Sequence, residues 1–119
     1  EVFHKAFGLG VKSSPEIHLP EALIKLRYEL MKEENEEYLE AALNKNMIEV
    51  ADALGDMLYI LCGTLLEHGM QHKIEEIFDE IQRSNMSKLD ADGCPVYRED
   101  GKVMKGPNYQ KPQLHQFFE

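Results

Sequence analysis

Glu33-Glu34-Asn35-Glu36-Glu37 and, a short way on, Glu49-Val50-Ala51-Asp52-Ala53-Leu54-Gly55-Asp56-Met57-Leu58-Tyr59 are the stretches whose reading decides the fold. Both set acids at helical spacing among apolar residues. At ~100° per residue, Leu23, Leu26, Leu30, Glu33, Glu34, Glu37 and Ala41 fall within one arc of roughly 100°, so these acids share a helix face with leucines. Lys25, Glu29, Lys32, Glu36 and Glu40 form a separate stripe of alternating sign, the pattern of a solvated face. On the remaining side Ile24, Tyr28, Met31, Tyr38, Leu39 and Ala42 make a second apolar face. The later stretch places Glu49, Asp52, Asp56, Tyr59 and Gly63 on one narrow stripe, hemmed by Val50, Leu54, Met57, Leu58, Leu61 and Leu65.

Working outward, the chain reads as an all-α helical bundle built around a long antiparallel helix pair. Pro20 opens a helix over about 20–43, rich in Ala, Leu, Glu and Lys. Asn44-Lys45-Asn46 is a short turn, and a second long helix runs from about 47 to Gly69, a left-handed cap. A third, over about 72–88, carries Ile74, Ile77, Phe78 and Ile81 at i, i+3, i+4, i+7 spacing. Ahead of these, Val2, Phe3 and Phe7 fit a short helix that stops at Gly8 or Gly10. After them, Gly and Pro arrive at short intervals, and Cys94–Arg98 with Lys102–Lys105 reads as a small hairpin turning at Glu99-Asp100-Gly101. The 119 residues suit one domain.

If the two long helices fold back at Lys45, Glu37 lies eight residues before the turn and Asp52 seven after it. These two are level. Glu33 and Glu34 lie twelve and eleven before, and Asp56 eleven after, which sets a second acidic layer about 6 Å away by helical rise. An ionised carboxylate taken from water without a partner is very costly, so clustered acids imply bound cations or raised pKa values. Two facing acidic layers suit hard divalent cations such as Mg²⁺, or Mn²⁺, which take oxygen ligands and keep waters for a substrate's phosphates. The expected metal ligands are Glu34, Glu37, Glu49, Asp52 and Asp56. Glu33 or Glu34 is the expected catalytic base. Glu49 has a second reading, as the N3 partner of an N-cap at Asn46.

With 22 acidic against 13 basic residues and a net charge of −9, the surface repels a nucleic-acid backbone. A phosphate-bearing substrate needs metal to approach, which agrees with the acid layers. Cys62 and Cys94 show no zinc spacing and read as reduced, structural thiols. No run approaches the ~18 to 20 apolar residues of a membrane span, and no signal segment opens the sequence; the expected location is the cytoplasm. A pair of Glu-x-x-His motifs, a glycine-rich phosphate loop and an intact calcium loop are all missing, which sets aside di-iron, P-loop and EF-hand readings.

Glu33 to Glu37, Glu49 to Asp52 and Asp52 to Tyr59 resemble the E-E-x-x-E and E-x-x-D signatures of the all-α nucleotide pyrophosphatases, the MazG-like, phosphoribosyl-ATP pyrophosphohydrolase-like and dimeric dUTPase-like superfamily. Phe3-His4-Lys5-Ala6-Phe7-Gly8, Ser84-Asn85-Met86-Ser87-Lys88, Asp100-Gly101-Lys102 and Lys105-Gly106-Pro107-Asn108-Tyr109 are similar to a MazG-like branch. The E-x-x-D glutamate is Glu49 counted from Asp52 but Ala53 counted from Asp56, so two registers stay open. The resemblance implies Mg²⁺-dependent hydrolysis of a nucleoside triphosphate between its α and β phosphates, giving a monophosphate and pyrophosphate, by a homodimer or dimer of dimers. Asn85 and Lys88, continuing the apolar face of the third helix, and Lys102 and Lys105 on the hairpin are candidates for binding substrate phosphate or sugar. Two alternatives stand beside this: a phosphoribosyl-ATP pyrophosphohydrolase-type activity, and a non-catalytic acidic helical dimerisation module.

Overall fold

The computed structural model describes residues 1–118. Along it run α1 (Val2–Ala6), α2 (Glu21–Leu43), α3 (Met47–Glu67), α4 (Ile74–Met86), β1 (Val96–Tyr97), β2 (Val103–Met104) and a 3₁₀ turn, Leu114–Phe117. The chain divides into two compact units, one ending at Gln71 and the other beginning at His72. No helix among the described residues is long and apolar enough to cross a membrane.

Three of the four helices of the expected bundle lie in the first unit, and its α2–α3 hairpin dominates. α2 ends in a Schellman closure: the Lys45 N–H donates to Ala42 O (3.1 Å) and the Asn46 N–H to Ala41 O (3.0 Å), satisfying carbonyls that the helix end leaves unpaired. The closure needs a left-handed residue, and Lys45 takes that place at φ 56°. Asn46 then caps α3, its side chain accepting from the Glu49 N–H at 3.1 Å. A connection this short between helices packed along their lengths makes them antiparallel. The buried alanines Ala41 and Ala53 sit on the two facing helices. At the far end Arg27 Nε donates to Thr64 Oγ1 (3.1 Å) and Arg27 Nη2 to Ile60 O (2.8 Å). Arg27 lies eighteen residues before Lys45 and Thr64 nineteen after, so these bonds hold the hairpin in the register counted from its turn.

α1 and the segment after it close the other end of α3. The buried His4 donates from Nδ1 to Gly10 O (2.8 Å), and the buried Glu67 carboxylate accepts from the Gly10 N–H (3.0 Å). Residues Lys12 and Glu16 donate their N–H groups to Leu66 O and His68 O. α3 stops at Glu67, and Gly69 follows at φ 68°, the expected left-handed position. A Cβ on Gly69 would also sit 2.0 Å from Ser14 O, so the strap is built against a glycine.

The second unit is pinned by polar contacts. Buried Ile77 anchors α4, while Phe78 stays exposed. Ser84 Oγ donates to Gln110 O (2.8 Å), and Arg83 forks onto Glu80, which also accepts the Gln113 N–H at 2.6 Å. Those donors pull the Glu80 carboxyl down to about 2. The antiparallel hairpin pairs Val96 with Met104 and Tyr97 with Val103. It is shorter than the sequence implied, because Asp90 Oδ1 accepts the Asp92 and Cys94 N–H groups and holds that stretch as a side-chain-capped loop. α4 is shorter too, ending at Met86, where Ser87 Oγ turns back onto Ser84 O.

Leu26 and Leu58 are half or more exposed, and Cys62, read from the sequence as a structural thiol, is exposed, as is Cys94. One chain does not cover both faces of this helix pair.

Two glycines of α3 are expected to behave oppositely. A Cβ on Gly63 would lie 2.5 Å from His4 Nε2 and 2.6 Å from Arg27 Nη2, whereas one on Gly55 would touch nothing within 4 Å. Gly63→Ala should therefore cost roughly 1–3 kcal/mol, and Gly55→Ala should add up to about 1 kcal/mol of helix propensity. Urea unfolding of both variants checks this, and equal effects would contradict the packing described.

Candidate functional site

The acids of α2 and α3 converge around Glu34. Its Oε2 is buried and has no hydrogen-bond partner among the described residues. Burial, a Glu37 carboxyl close enough to share a proton, and the charges of Glu37, Asp56 and Asp52 together raise the Glu34 carboxyl to about 7. Asp56 is half-buried, while Glu33, Glu37, Glu49 and Asp52 are exposed. The level pairing counted from Lys45 thus brings Glu34, Glu37, Asp52 and Asp56 into one electrostatic group. Glu33, one residue from Glu34, points outward.

Glu49 occupies the turn end. Its N–H serves the Asn46 cap, but the reciprocal bond of a capping box does not form, because the Asn46 N–H goes to Ala41 O. The Glu49 side chain is thereby left to line a cavity of ≈ 280 Å³ with Glu37, Glu40, Ala41, Asn44 and Asn46. Glu40, read from the sequence as one of a solvated stripe, is part of this acidic mouth. Its signal was available: it lies one turn from Glu37.

The fit to a divalent cation can be judged on this arrangement. A buried carboxylate oxygen without a donor, beside three further acids, is a donor set of hard oxygens suited to Mg²⁺ or Mn²⁺. Among the described residues, no three His, Cys, Asp or Glu groups converge tightly enough to hold an ion as they stand. Like charges repel, and exposed Glu37, Glu49 and Asp52 are free to swing toward solvent. The set is therefore complete in chemistry and unclosed in geometry.

The four other candidates lie in the second unit. Asn85 and Lys88 line a cavity of ≈ 350 Å³ with Met86, Leu89, Pro95 and Val103. Lys105 Nζ stands 4.8 Å from the Tyr109 ring centroid, a cation–π contact, and Lys102 is exposed beside the Arg98–Asp100 pair. Sequence reasoning gave Arg27 and Glu67 no role and read His4 only within a motif. Arg27 and Glu67 bond to positions 33 to 57 residues away along the chain, which no local periodicity announces.

A family model described as phosphoribosyl-ATP pyrophosphohydrolase matches residues 1–85, which carry every acid of this cluster. The chain belongs to that family. It is thereby one of the all-α, MazG-like nucleotide pyrophosphatases, hydrolases that act on phosphoric anhydride bonds. That membership speaks against the non-catalytic module. A search among curated proteins finds no match.

Glu34 should make the stability of the metal-free protein pH-sensitive. Its folded value of about 7 lies above the ordinary carboxyl value of 4.5, so folding favours the protonated form. The stability it contributes is complete below 4.5 and lost as pH rises through 7. With chelator present, the difference in melting temperature between the wild type and Glu34→Gln should move in favour of the variant between pH 4.5 and 8. A difference constant across that range would contradict the burial of Glu34 among acids.

Proposed function

We propose that the protein hydrolyses a nucleoside triphosphate between its α and β phosphates, releasing a monophosphate and pyrophosphate, with Mg²⁺ or Mn²⁺ as cofactor. The buried, unpartnered Glu34 oxygen in the midst of Glu37, Asp52 and Asp56 is the observation that carries the reading. These four carboxylates, with Glu49 at the mouth, would hold the cation. A bound divalent ion would supply charge neutralisation of the triphosphate and polarise the α-phosphorus.

The chain's own residues do the rest. Glu34 and exposed Glu33 are the two candidates for the base that takes a proton from the attacking water. The water oxygen bonds to the α-phosphorus as the bond to the bridging oxygen breaks. Pyrophosphate carries that electron pair away, and the base holds the proton. Arg27, by fixing the hairpin's far end, keeps the two acidic layers level. Asn85, Lys88, Lys102 and Lys105 are proposed to contact the substrate's phosphates or sugar. A homodimer or dimer of dimers would cover the exposed apolar surface, including Ile24, Tyr28 and Leu39 on α2.

The family's description favours a second substrate reading, phosphoribosyl-ATP itself. Both share the scissile anhydride and the acidic site, and they differ in the base that must be accommodated.

Pyrophosphate release from a panel of ribo- and deoxyribonucleoside triphosphates, with phosphoribosyl-ATP alongside, tests the proposal. Chelation should abolish release and Mg²⁺ restore it. Asp56→Asn and Glu37→Gln should each lose roughly 100-fold or more while remaining folded, and Glu36→Gln should stay near wild type. Turnover in chelator, or an Asp56→Asn enzyme as fast as wild type, would move the chemistry elsewhere. Light scattering on the active sample should give at least a dimer; an active monomer would remove the assembly from the account.

A further inference from the structure

Residues four apart on α4 form two neighbouring rows, Ile74 with Phe78 and Glu75 with Asp79. Between them runs a groove of ≈ 380 Å³ lined by these four residues. Phe78 is 64 % exposed, although phenylalanine is among the residues most often buried. Glu75, with Glu76, suits the positive end of the helix, but Asp79 lies beyond the first turn and has no such reason to be there. The one basic residue of α4, Arg83, is taken by Glu80, and Glu75 and Asp79 have no ion-pair partner among the described residues. Residues 110–113 are held along a different side of the helix, by Ser84 and Glu80. Packing within the second unit thus buries Ile77 and leaves the Phe78 row bare.

We propose that this groove docks a cationic amphipathic helix of another protein, whose apolar ridge packs against Ile74 and Phe78 while its lysines or arginines reach Glu75 and Asp79. A groove between rows of residues four apart is the shape into which a ridge of a second helix fits. Charge then selects the kind of helix. Bare acids along one row and bare apolar atoms along the other are complemented by cations set beside apolar residues at the same interval. Nucleic acid and an anionic lipid surface carry the wrong sign. So does a second copy, since the chain has a net charge of −9 and packing this face on itself sets Glu75 and Asp79 against their own kind. The inference goes beyond hydrolysis and stands apart from it, because none of the four residues belongs to the acid cluster of α2 and α3.

A helical peptide with leucines four apart flanked by lysines, and its counterpart with glutamate for every lysine, are titrated into the full chain and followed by NMR. The lysine peptide should give saturable shifts at Ile74, Glu75, Phe78 and Asp79, and the glutamate peptide none. Phe78→Ser should weaken binding about tenfold or more, as should Glu75→Gln combined with Asp79→Asn, whereas Glu29→Gln combined with Glu36→Gln, which removes equal charge from the solvated stripe of α2, should leave it within about twofold. If Phe78→Ser does not fold, the comparison of the two double variants decides. Absent or unsaturable binding, shifts confined to other residues, unchanged affinity in a folded Phe78→Ser protein, or equal weakening by the two double variants overturns the proposal. So does a mass from light scattering, without peptide, that falls in Phe78→Ser, which would give the groove to a second copy.

Discussion

The repulsion among carboxylates set level across the α2–α3 hairpin is the constraint on which the rest of the first unit depends. Glu34 is driven up to about 7 by burial and by Glu37, Asp56 and Asp52, a cost that folding alone gives no reason to retain. It is tolerated because the hairpin is fixed independently at both ends. The Schellman closure through Lys45 and the Asn46 cap hold the turn, and Arg27 bonds across to Thr64 and Ile60 at the far end. Neither clamp uses an acidic side chain of the cluster. The scaffold thus imposes the register, and the acids inherit it. Such separation between what holds a site and what acts in it lets a protein keep a strained charge arrangement for chemistry.

The same logic extends to the end of α3. His4, Gly10 and Glu67 form a buried polar knot that closes α1 on it.

Much of this was legible in the sequence because it is local. Helical periodicity located α2 and α3 to within about two residues at each end, and counting from Lys45 set Glu34 and Glu37 across from Asp52 and Asp56, whose charges bear on Glu34. The signatures between Glu33 and Asp56 led to the same superfamily that the family match supports over residues 1–85. What stayed hidden is non-local or depends on solvent. Arg27 looked like one more charge on a helix until its partners, more than thirty residues away, were known. Leu26 and Leu58 lie exposed in the single chain, and an apolar face in sequence does not say whether its cover comes from the same chain. The hairpin strands came out shorter because one side chain, Asp90, outcompetes the ladder. Which of Glu33 and Glu34 takes the proton is set by orientation rather than spacing, and spacing is all that a sequence offers.

The central claim is that these carboxylates form a divalent-cation site, and titration of Mn²⁺ into the apo protein, followed by loss of the free-ion electron paramagnetic resonance signal, tests it most directly. The account predicts saturable Mn²⁺ uptake by the wild type, displaced by excess Mg²⁺ and strongly weakened in Asp56→Asn. Uptake that is absent in the wild type, or equally tight in Asp56→Asn, would contradict it.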